Sequence, residues 1–125
     1  MELFSDRRNR RGLRAARRAA EASADADVRR AALRLLKALA ALRWGAAGLA
    51  ASEGVLELLL AAPRHPLDAD ELRERHAVAE LMAAAPHVVT MLGEATAAQL
   101  GSAVAAGPFA RQQPAAASAA GPLTL

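Results

Sequence analysis

Three histidines are the side chains in this sequence best suited to hold a metal ion, and their spacing argues against it. His76 and His87 are eleven residues apart with Pro86 between them. A zinc-protease pair needs two histidines at i and i+4 on one helix. His65 has no second ligand beside it. We weigh metal binding against ordinary surface or partly buried histidines and expect the latter.

A cluster of carboxylates is the other candidate for chemistry. Asp68, Asp70, Glu71 and Glu74 lie within seven residues of one another. Acidic groups at a helix start interact favourably with the helix dipole, so we expect a capping role. An acid/base site or a calcium loop is the alternative, but the glycine and terminal glutamate of an EF-hand loop are missing. The glycines form no phosphate loop and no serine sits in a nucleophile elbow, so we predict a non-enzymatic protein without a cofactor.

Composition predicts the elements that surround these residues. About three residues in ten are alanine, the best helix former, and only 2% are aromatic. The fold class is therefore expected to be all-α, with leucine as the main filler of the core. The absence of cysteine excludes disulfides, cysteine-based zinc fingers and thiol nucleophiles. Charged residues interrupt every apolar run before the ~18 residues of a membrane span, so no membrane association is expected.

Leucines at helical spacing define the predicted core. The clearest helix covers 25–42, with Asp27 as its N-cap. A second leucine helix covers 52–63 and ends at Pro63, and another long helix, capped by Asp68 or Asp70, covers 68–86. The residues predicted to be buried on these helices are Leu35, Leu36, Leu39, Leu56, Leu59, Leu60, Val78, Leu81 and Met82.

Trp44, the only tryptophan, lies beside Gly45 at a predicted bend between helices. We expect its indole to fill the gap that alanine-lined helices leave at such a bend. A binding hot spot is the alternative, because tryptophan is enriched at such spots.

The charge is uneven along the chain. Residues 1–34 carry ten arginines against five acids. The segment 1–27 is expected to be partly helical or flexible, with little to bury because its apolar residues are nearly all alanine. A solvated segment, contact with nucleic acid and organelle targeting are its three interpretations. The lack of interleaved aromatic residues, on which bases could stack, argues against nucleic acid as the partner. At the other end, 110–125 is a low-complexity tail expected to be disordered.

A repeat relates the two long helices. The letters "DAD" begin at residue 25 and again at residue 68, an offset of 43. A period in the low forties, made of short and long helices, is typical of armadillo and HEAT solenoids. We therefore predict about six helices in which 28–109 form armadillo/HEAT-like repeats.

The stretch "AALRLLKALAALRWGAAGLAASEGVLELLL" resembles the C-terminal region of the proteasome non-ATPase regulatory subunit 5 family. The later stretch "RHAVAELMAAAPHVVTMLGEATAAQLGSAVAAGPF" is similar to the family's closing helices, which end in a Gly-Pro-aromatic motif. "ELF" at 2–4 is also similar to a family segment. The likeness covers roughly 28–113, although the turn at Glu53 and Gly54 lacks the family's proline and aromatic residue.

The resemblance implies a HEAT/armadillo-like solenoid, of which this chain would be the C-terminal cap. It also implies a cytosolic chaperone that binds ATPase subunits during assembly of the base of the proteasome regulatory particle. Long helices line the concave surface of such solenoids, so Arg30, Arg34 and Lys37 are the predicted partner contacts. A generic repeat scaffold and a small Arg-rich nucleic-acid-binding protein are the alternatives. A solenoid fragment without its N-terminal neighbour should also expose apolar surface around 28–36.

Overall fold

The structure, a computed structural model, describes residues 7–52, 54–61 and 66–110, with side chains from Arg11 onward. Within these ranges the chain is helical and contains no strand, which confirms the all-α class. Seven helices are described, against the approximately six predicted: α1 (Arg7–Ala22), α2 (Ala26–Ala40), α3 (Arg43–Ala51), α4 (Val55–Leu60), α5 (Ala69–Ala83), α6 (Pro86–Leu92) and α7 (Glu94–Ala106). Pro63, His65, the "ELF" segment and 111–125 lie outside the described residues.

Aspartates begin the two helices that carry the "DAD" repeat. Asp25 is the N-cap of α2, and its carboxylate accepts the backbone N–H of Asp27 at 2.8 Å. The prediction of Asp27 as the cap is therefore wrong by two residues. Asp68 caps α5 in a capping box, in which it accepts the N–H of Glu71 at 2.8 Å while its own N–H donates to Glu71 at 3.4 Å.

The longer helices pack side by side in the order α1, α2, α5 and α7, and α3, α4 and α6 pack against them. The α2 and α5 helices run parallel, because Arg30 and Asp68 pair near their first turns while Ala40 and Leu81 line one cavity at their ends. Among the described residues, neither α1 nor α2 makes extensive contact with α6 or α7. The packing thus combines contacts between successive helices with contacts between helices three elements apart: α2 with α5, α3 with α6 and α4 with α7.

One continuous core joins the helices from Leu13 in α1 to Leu100 in α7. Four residues of the predicted core are buried in it: Leu36, Leu59, Val78 and Met82. Four more are partly buried and pack against it: Leu39, Leu56, Leu60 and Leu81. The leucine spacing therefore identified most of the core correctly.

The first helix corrects the expectation that the N-terminal segment has little to bury. Leu13, Ala16 and Ala20 lie on one face of α1 and belong to the core. Small alanine side chains let two helices approach closely, so even one leucine and two alanines form a packed face. The core therefore extends across the predicted boundary at residue 27.

Leu35 and Trp44 were predicted in the core, and both predictions are wrong. Leu35 is 50% exposed and Trp44 is 39% exposed. Apolar residues occur on two faces of α2, and packing between α1 and α5 buries the face that carries Leu33 and Leu36. The face that carries Leu35 is left outside.

Gly45, and not Trp44, is the residue adapted to the bend between α2 and α3. A Cβ atom at position 45 would lie 1.9 Å from the backbone oxygen of Leu39. Only glycine fits this close approach, because any other residue would place its Cβ inside the last turn of α2. The bend is therefore closed by backbone contact, and the neighbouring indole is left at the surface.

Candidate protein-binding surface

The three predicted partner contacts lie along the seam between α2 and α5. Arg30 is within salt-bridge distance of Asp68 and of Asp27. Lys37 Nζ lies 2.8 Å from Glu74 Oε1, and Arg34 Nε lies 3.4 Å from Glu74 Oε2. All three side chains thus have partners within the chain. The Arg34 side chain is nevertheless 61% exposed, so it remains accessible from outside.

A buried ion pair lies beneath this seam, and the sequence analysis did not identify it. Arg29 Nε donates to Glu71 Oε2 at 2.7 Å and Arg29 Nη2 donates to Glu71 Oε1 at 3.2 Å. Arg29 Nη1 also donates to the carbonyl of Ser23 at 2.8 Å, in the turn that joins α1 to α2. Glu71 is 1% exposed. This pair fixes α1, α2 and α5 relative to one another, and its removal on one side would leave a buried charge.

Hydrogen bonds change the pKa values of the charged groups in the seam. The bond to Glu71 raises the pKa of the Arg29 guanidinium above its ordinary value. The backbone N–H of Glu71 lowers the pKa of Asp68. The bond from Lys37 lowers the pKa of Glu74, which outweighs the opposite effect of burial. The lowered pKa values favour the charged forms of Asp68 and Glu74, as suits structural ion pairs.

The outward face of α2 carries a row of exposed apolar side chains, which we call the α2 stripe. Its members are spaced three and four residues apart and end just past the helix: Val28, Ala31, Leu35, Ala38 and Leu42. This spacing places them on one side of the helix, turned away from the seam with α5. Exposed apolar surface in 28–36 was expected of a solenoid fragment and is present, although α1 occupies the neighbouring position.

The α1 helix forms the other wall of a shallow groove along the α2 stripe. Arg17 lies against the first turn of α4, since a Cβ on Gly54 would be 2.7 Å from Arg17 Nε. Helical spacing places the small residues Gly12 and Ala15 on the opposite flank of α1, and α1 packs on α2 as well as on α4, so we place this flank on the α2 side. Both residues are exposed, and nothing lies within 4 Å of a Cβ added at Gly12. The groove thus has an apolar surface without bulky side chains on the α1 side.

Arginines line the outer edge of this groove. Arg11, Arg14 and Arg18 lie on the side of α1 opposite the core residues, and all three are exposed. We call them the arginine row. Within the part of the chain that the structure describes, none of them pairs with a carboxylate. The arginine row therefore gives the groove an edge of unneutralised positive charge.

A cavity lies at the end of the α2 stripe. It has a volume of about 300 Å³ and opens between the C-terminal ends of α2 and α5 and the first turns of α3 and α6. Leu42 belongs to both the stripe and the cavity lining, so the two are continuous. The other lining residues are mostly small or apolar, among them Ala46, Leu81 and Ala85, with Arg43 and His87 at the edge.

His76 and His87, the two histidines among the described residues, make separate contacts. His76 Nε2 lies 3.0 Å from the carbonyl of Val104, and His87 Nε2 lies 3.0 Å from the carbonyl of Arg43. In the described ranges, no group of three or more His, Cys, Asp or Glu side chains is placed to hold a metal ion. No helix among the described residues is long and apolar enough to cross a membrane.

The carboxylate cluster is divided between structural contacts. Asp68 and Glu71 form the capping box, Glu74 pairs with α2, and Asp70 lies 3.3 Å from Arg73. The α2 stripe, the groove and the arginine row stay accessible, as do the exposed side chains of Val89, Met91 and Phe109. Comparison with protein-family models, curated proteins and solved structures finds no match for the chain.

Proposed function

We propose that this chain is a non-catalytic protein-binding module that holds its partner on the α2 stripe. The observation that carries the proposal is the exposure of four apolar residues at helical spacing on α2, continued by Leu42 just past its end. Exposed apolar rows bordered by polar residues are typical of protein-interaction sites. Water contact with Val28, Leu35 and Leu42 is unfavourable in the free protein and would be removed by a partner.

The helix packing supports a HEAT/armadillo-like solenoid cap. The parallel arrangement of α2 and α5, joined through the shorter α3 and α4, is expected of equivalent long helices in successive repeats. Helices three elements apart also pack on each other, α2 on α5, α3 on α6 and α4 on α7, as expected where one repeat stacks on the next. In such a solenoid the long helices line the concave surface, and the α2 stripe would be part of it.

The resemblance of the sequence to the proteasome non-ATPase regulatory subunit 5 family supplies the partner. We propose ATPase subunits of the regulatory particle base as the proteins bound, with this chain acting as a cytosolic assembly chaperone or as the end of one. Arg34 and Lys37 flank the stripe on the α5 side and would contact the same partner. Their pairing with Glu74 does not prevent this, since both side chains stay partly exposed.

Capture of purified ATPase subunits on the immobilised chain tests the proposal. Leu35→Asp should abolish capture, because it places a charge in the middle of the α2 stripe. Met91→Asp is the matched control, since Met91 is also 50% exposed but lies near the end of α6, outside the α2 stripe and not among the residues that line the cavity. Equal capture by the two variants and the unaltered chain would refute binding on the stripe.

The predicted contacts need a separate variant. Replacing Arg30, Arg34 and Lys37 together with alanine should weaken capture, but it also removes ion pairs to α5. Thermal unfolding of the same variant, followed by circular dichroism, separates loss of contact from loss of fold. Unchanged capture by a folded triple variant would remove these three residues from the binding surface.

Nucleic-acid binding is a second candidate, and the arginine row favours it. Three exposed arginines on one helix face could contact phosphates, with affinity that falls steeply as salt rises. A filter-binding assay over a salt series distinguishes this function. Retention of DNA or RNA at low salt that Arg14→Glu abolishes and Leu35→Asp leaves intact would favour nucleic acid over a protein partner.

A further inference from the structure

We infer that the groove between α1 and α2 takes an amphipathic helix whose apolar face is flanked by acidic side chains. The inference rests on the proposed protein-binding function and adds the chemistry of the partner segment. Helix-in-groove recognition uses anchors at i, i+3, i+4 and i+7 on the incoming helix. The members of the α2 stripe have the same periodicity, so they can interleave with such anchors.

The dimensions of the groove suit a helix of a few turns. Val28 and Leu35 are seven residues apart, which corresponds to about 10 Å along the axis of α2. The stripe continues through Ala38 to Leu42, so a helix of about 15 residues would cover it. Gly12 and Ala15 on the α1 wall carry no bulky side chain, which lets the backbone of an incoming helix approach closely.

Charge determines the chemistry of the flanks. The arginine row borders the groove on the α1 side, and the exposed Arg34 guanidinium borders it on the side toward α5. Acidic side chains on both flanks of an incoming helix would therefore face positive charge. A second copy of this chain would bring its own arginine row to the same place, so like charges would oppose self-association through this groove.

The cavity beyond Leu42 provides an end point for the docked helix. Its volume of about 300 Å³ and its largely apolar lining allow one bulky apolar side chain from the partner to enter. Trp44 lies two residues beyond Leu42 and is 39% exposed. Trp44 does not line the cavity, but as the only tryptophan it provides a single fluorescent probe close to this end of the groove.

The test uses the full chain and a synthetic helical peptide of about 18 residues, long enough to span the stripe. The peptide has leucine every third or fourth residue and glutamate at the flanking positions, and it carries a fluorescent label. The control peptide has lysine in place of glutamate. Fluorescence anisotropy should show saturable binding of the first peptide and at least tenfold weaker binding of the second. Raising the salt from about 0.05 M to about 0.3 M should weaken the first interaction several-fold.

Variants of exposed residues locate the site. Leu35→Asp should weaken binding of the glutamate peptide about tenfold or more, because a carboxylate would be buried against apolar anchors. Met91→Asp should leave the affinity unchanged. The double variant Arg14→Glu with Arg18→Glu should shift the preference from the glutamate peptide to the lysine peptide. Arg73→Glu, at an exposed position of α5 outside the groove, should not shift it.

Several results would overturn the inference. These are equal affinity for the two peptides, equal weakening by Leu35→Asp and Met91→Asp, or no change of preference in the Arg14/Arg18 double variant. A stable dimer in sedimentation, broken by Leu35→Asp, would assign the groove to a second copy. Displacement of the glutamate peptide by DNA or RNA with higher affinity would assign the arginine row to nucleic acid.

Failure of this inference can be told apart from failure of the proposed function. If the glutamate peptide does not bind but Leu35→Asp still abolishes capture of ATPase subunits, the helix inference is wrong and the proposed function stands. If the peptide binds as expected and no ATPase subunit is captured, the groove is a helix-binding site for a different protein.

Discussion

Substitution of Gly45 by alanine should be among the most destabilising single-methyl changes in this chain. The added Cβ would lie 1.9 Å from the carbonyl oxygen of Leu39, 2.7 Å from its carbonyl carbon and 3.0 Å from its Cα. Ordinary contacts of a methyl carbon with such atoms exceed about 3 Å. The end of α2 and the start of α3 would therefore have to separate by roughly 1 Å.

Separating α2 from α3 would lower the free energy of unfolding, because it disturbs a backbone hydrogen bond in the turn and the packing of α3 in the core. The Leu39 oxygen accepts the N–H of Leu42 at 3.0 Å in the turn, and α3 places the fully buried Leu49 in the core. A backbone atom cannot rotate out of the way as a side chain can. Overpacking costs about 1–3 kcal/mol where side chains can adjust, so we expect ~3 kcal/mol or more here.

Gly101→Ala is the matched control for this experiment. Gly101 lies inside α7, and nothing is within 4 Å of a Cβ added there. Replacing glycine by alanine within a helix raises the free energy of unfolding by about 0.5–1 kcal/mol, so this variant should be more stable than the unaltered chain. Urea unfolding followed by circular dichroism measures both changes. If Gly45→Ala unfolds at the same urea concentration as the unaltered chain, the close contact between α2 and α3 does not exist.

Three other variants test the ion pairs and the position of the indole by the same urea assay. Glu71→Ala should lower the free energy of unfolding by ~3–5 kcal/mol, because it leaves the Arg29 charge buried without a partner. Adding Arg29→Met removes that charge and should restore part of the loss. A double variant less stable than the single variant would contradict this reasoning. Glu74 has a lowered pKa in the folded chain, so its stabilising effect is complete above its unfolded pKa of about 4.5 and is lost as the pH falls through the lower, folded value. Glu74→Gln should therefore reduce stability at neutral pH and flatten the acid limb of the stability profile, and an unaltered profile would show that its pair with Lys37 contributes nothing. Trp44→Ala should lower the free energy of unfolding by ~1 kcal/mol, well below the ~3–5 kcal/mol expected for removal of a fully buried indole. A loss in the higher range would place the indole in the core.

Sequence patterns predicted much of the local structure because local structure depends on nearby residues. Alanine and leucine content indicated the all-α class. A cap at Asp68 or Asp70 was predicted because a cap acts on backbone groups a few residues away, and the burial of Leu36 and Met82 followed from helical spacing. Such signals do not depend on where distant parts of the chain pack.

The candidate surface was harder to predict because it depends on which helices become neighbours. Arg30, Arg34 and Lys37 share a polar side of α2, but nothing local in the sequence shows that this side meets α5. The partner of Arg29 lies 42 residues away in the sequence and has no local signal. Whether the three residues also contact another protein stays a prediction.

The sequence alone determined that the chain forms amphipathic helices and where most of them begin and end, since backbone hydrogen bonds, caps and glycines act over a few residues. It also determined that α2 has apolar side chains on two faces. Only the tertiary structure decided which of these faces is buried, because that choice depends on where α1 and α5 pack against α2. The same packing left Leu35 and Trp44 at the surface, buried Arg29 with Glu71, and created the groove along α2.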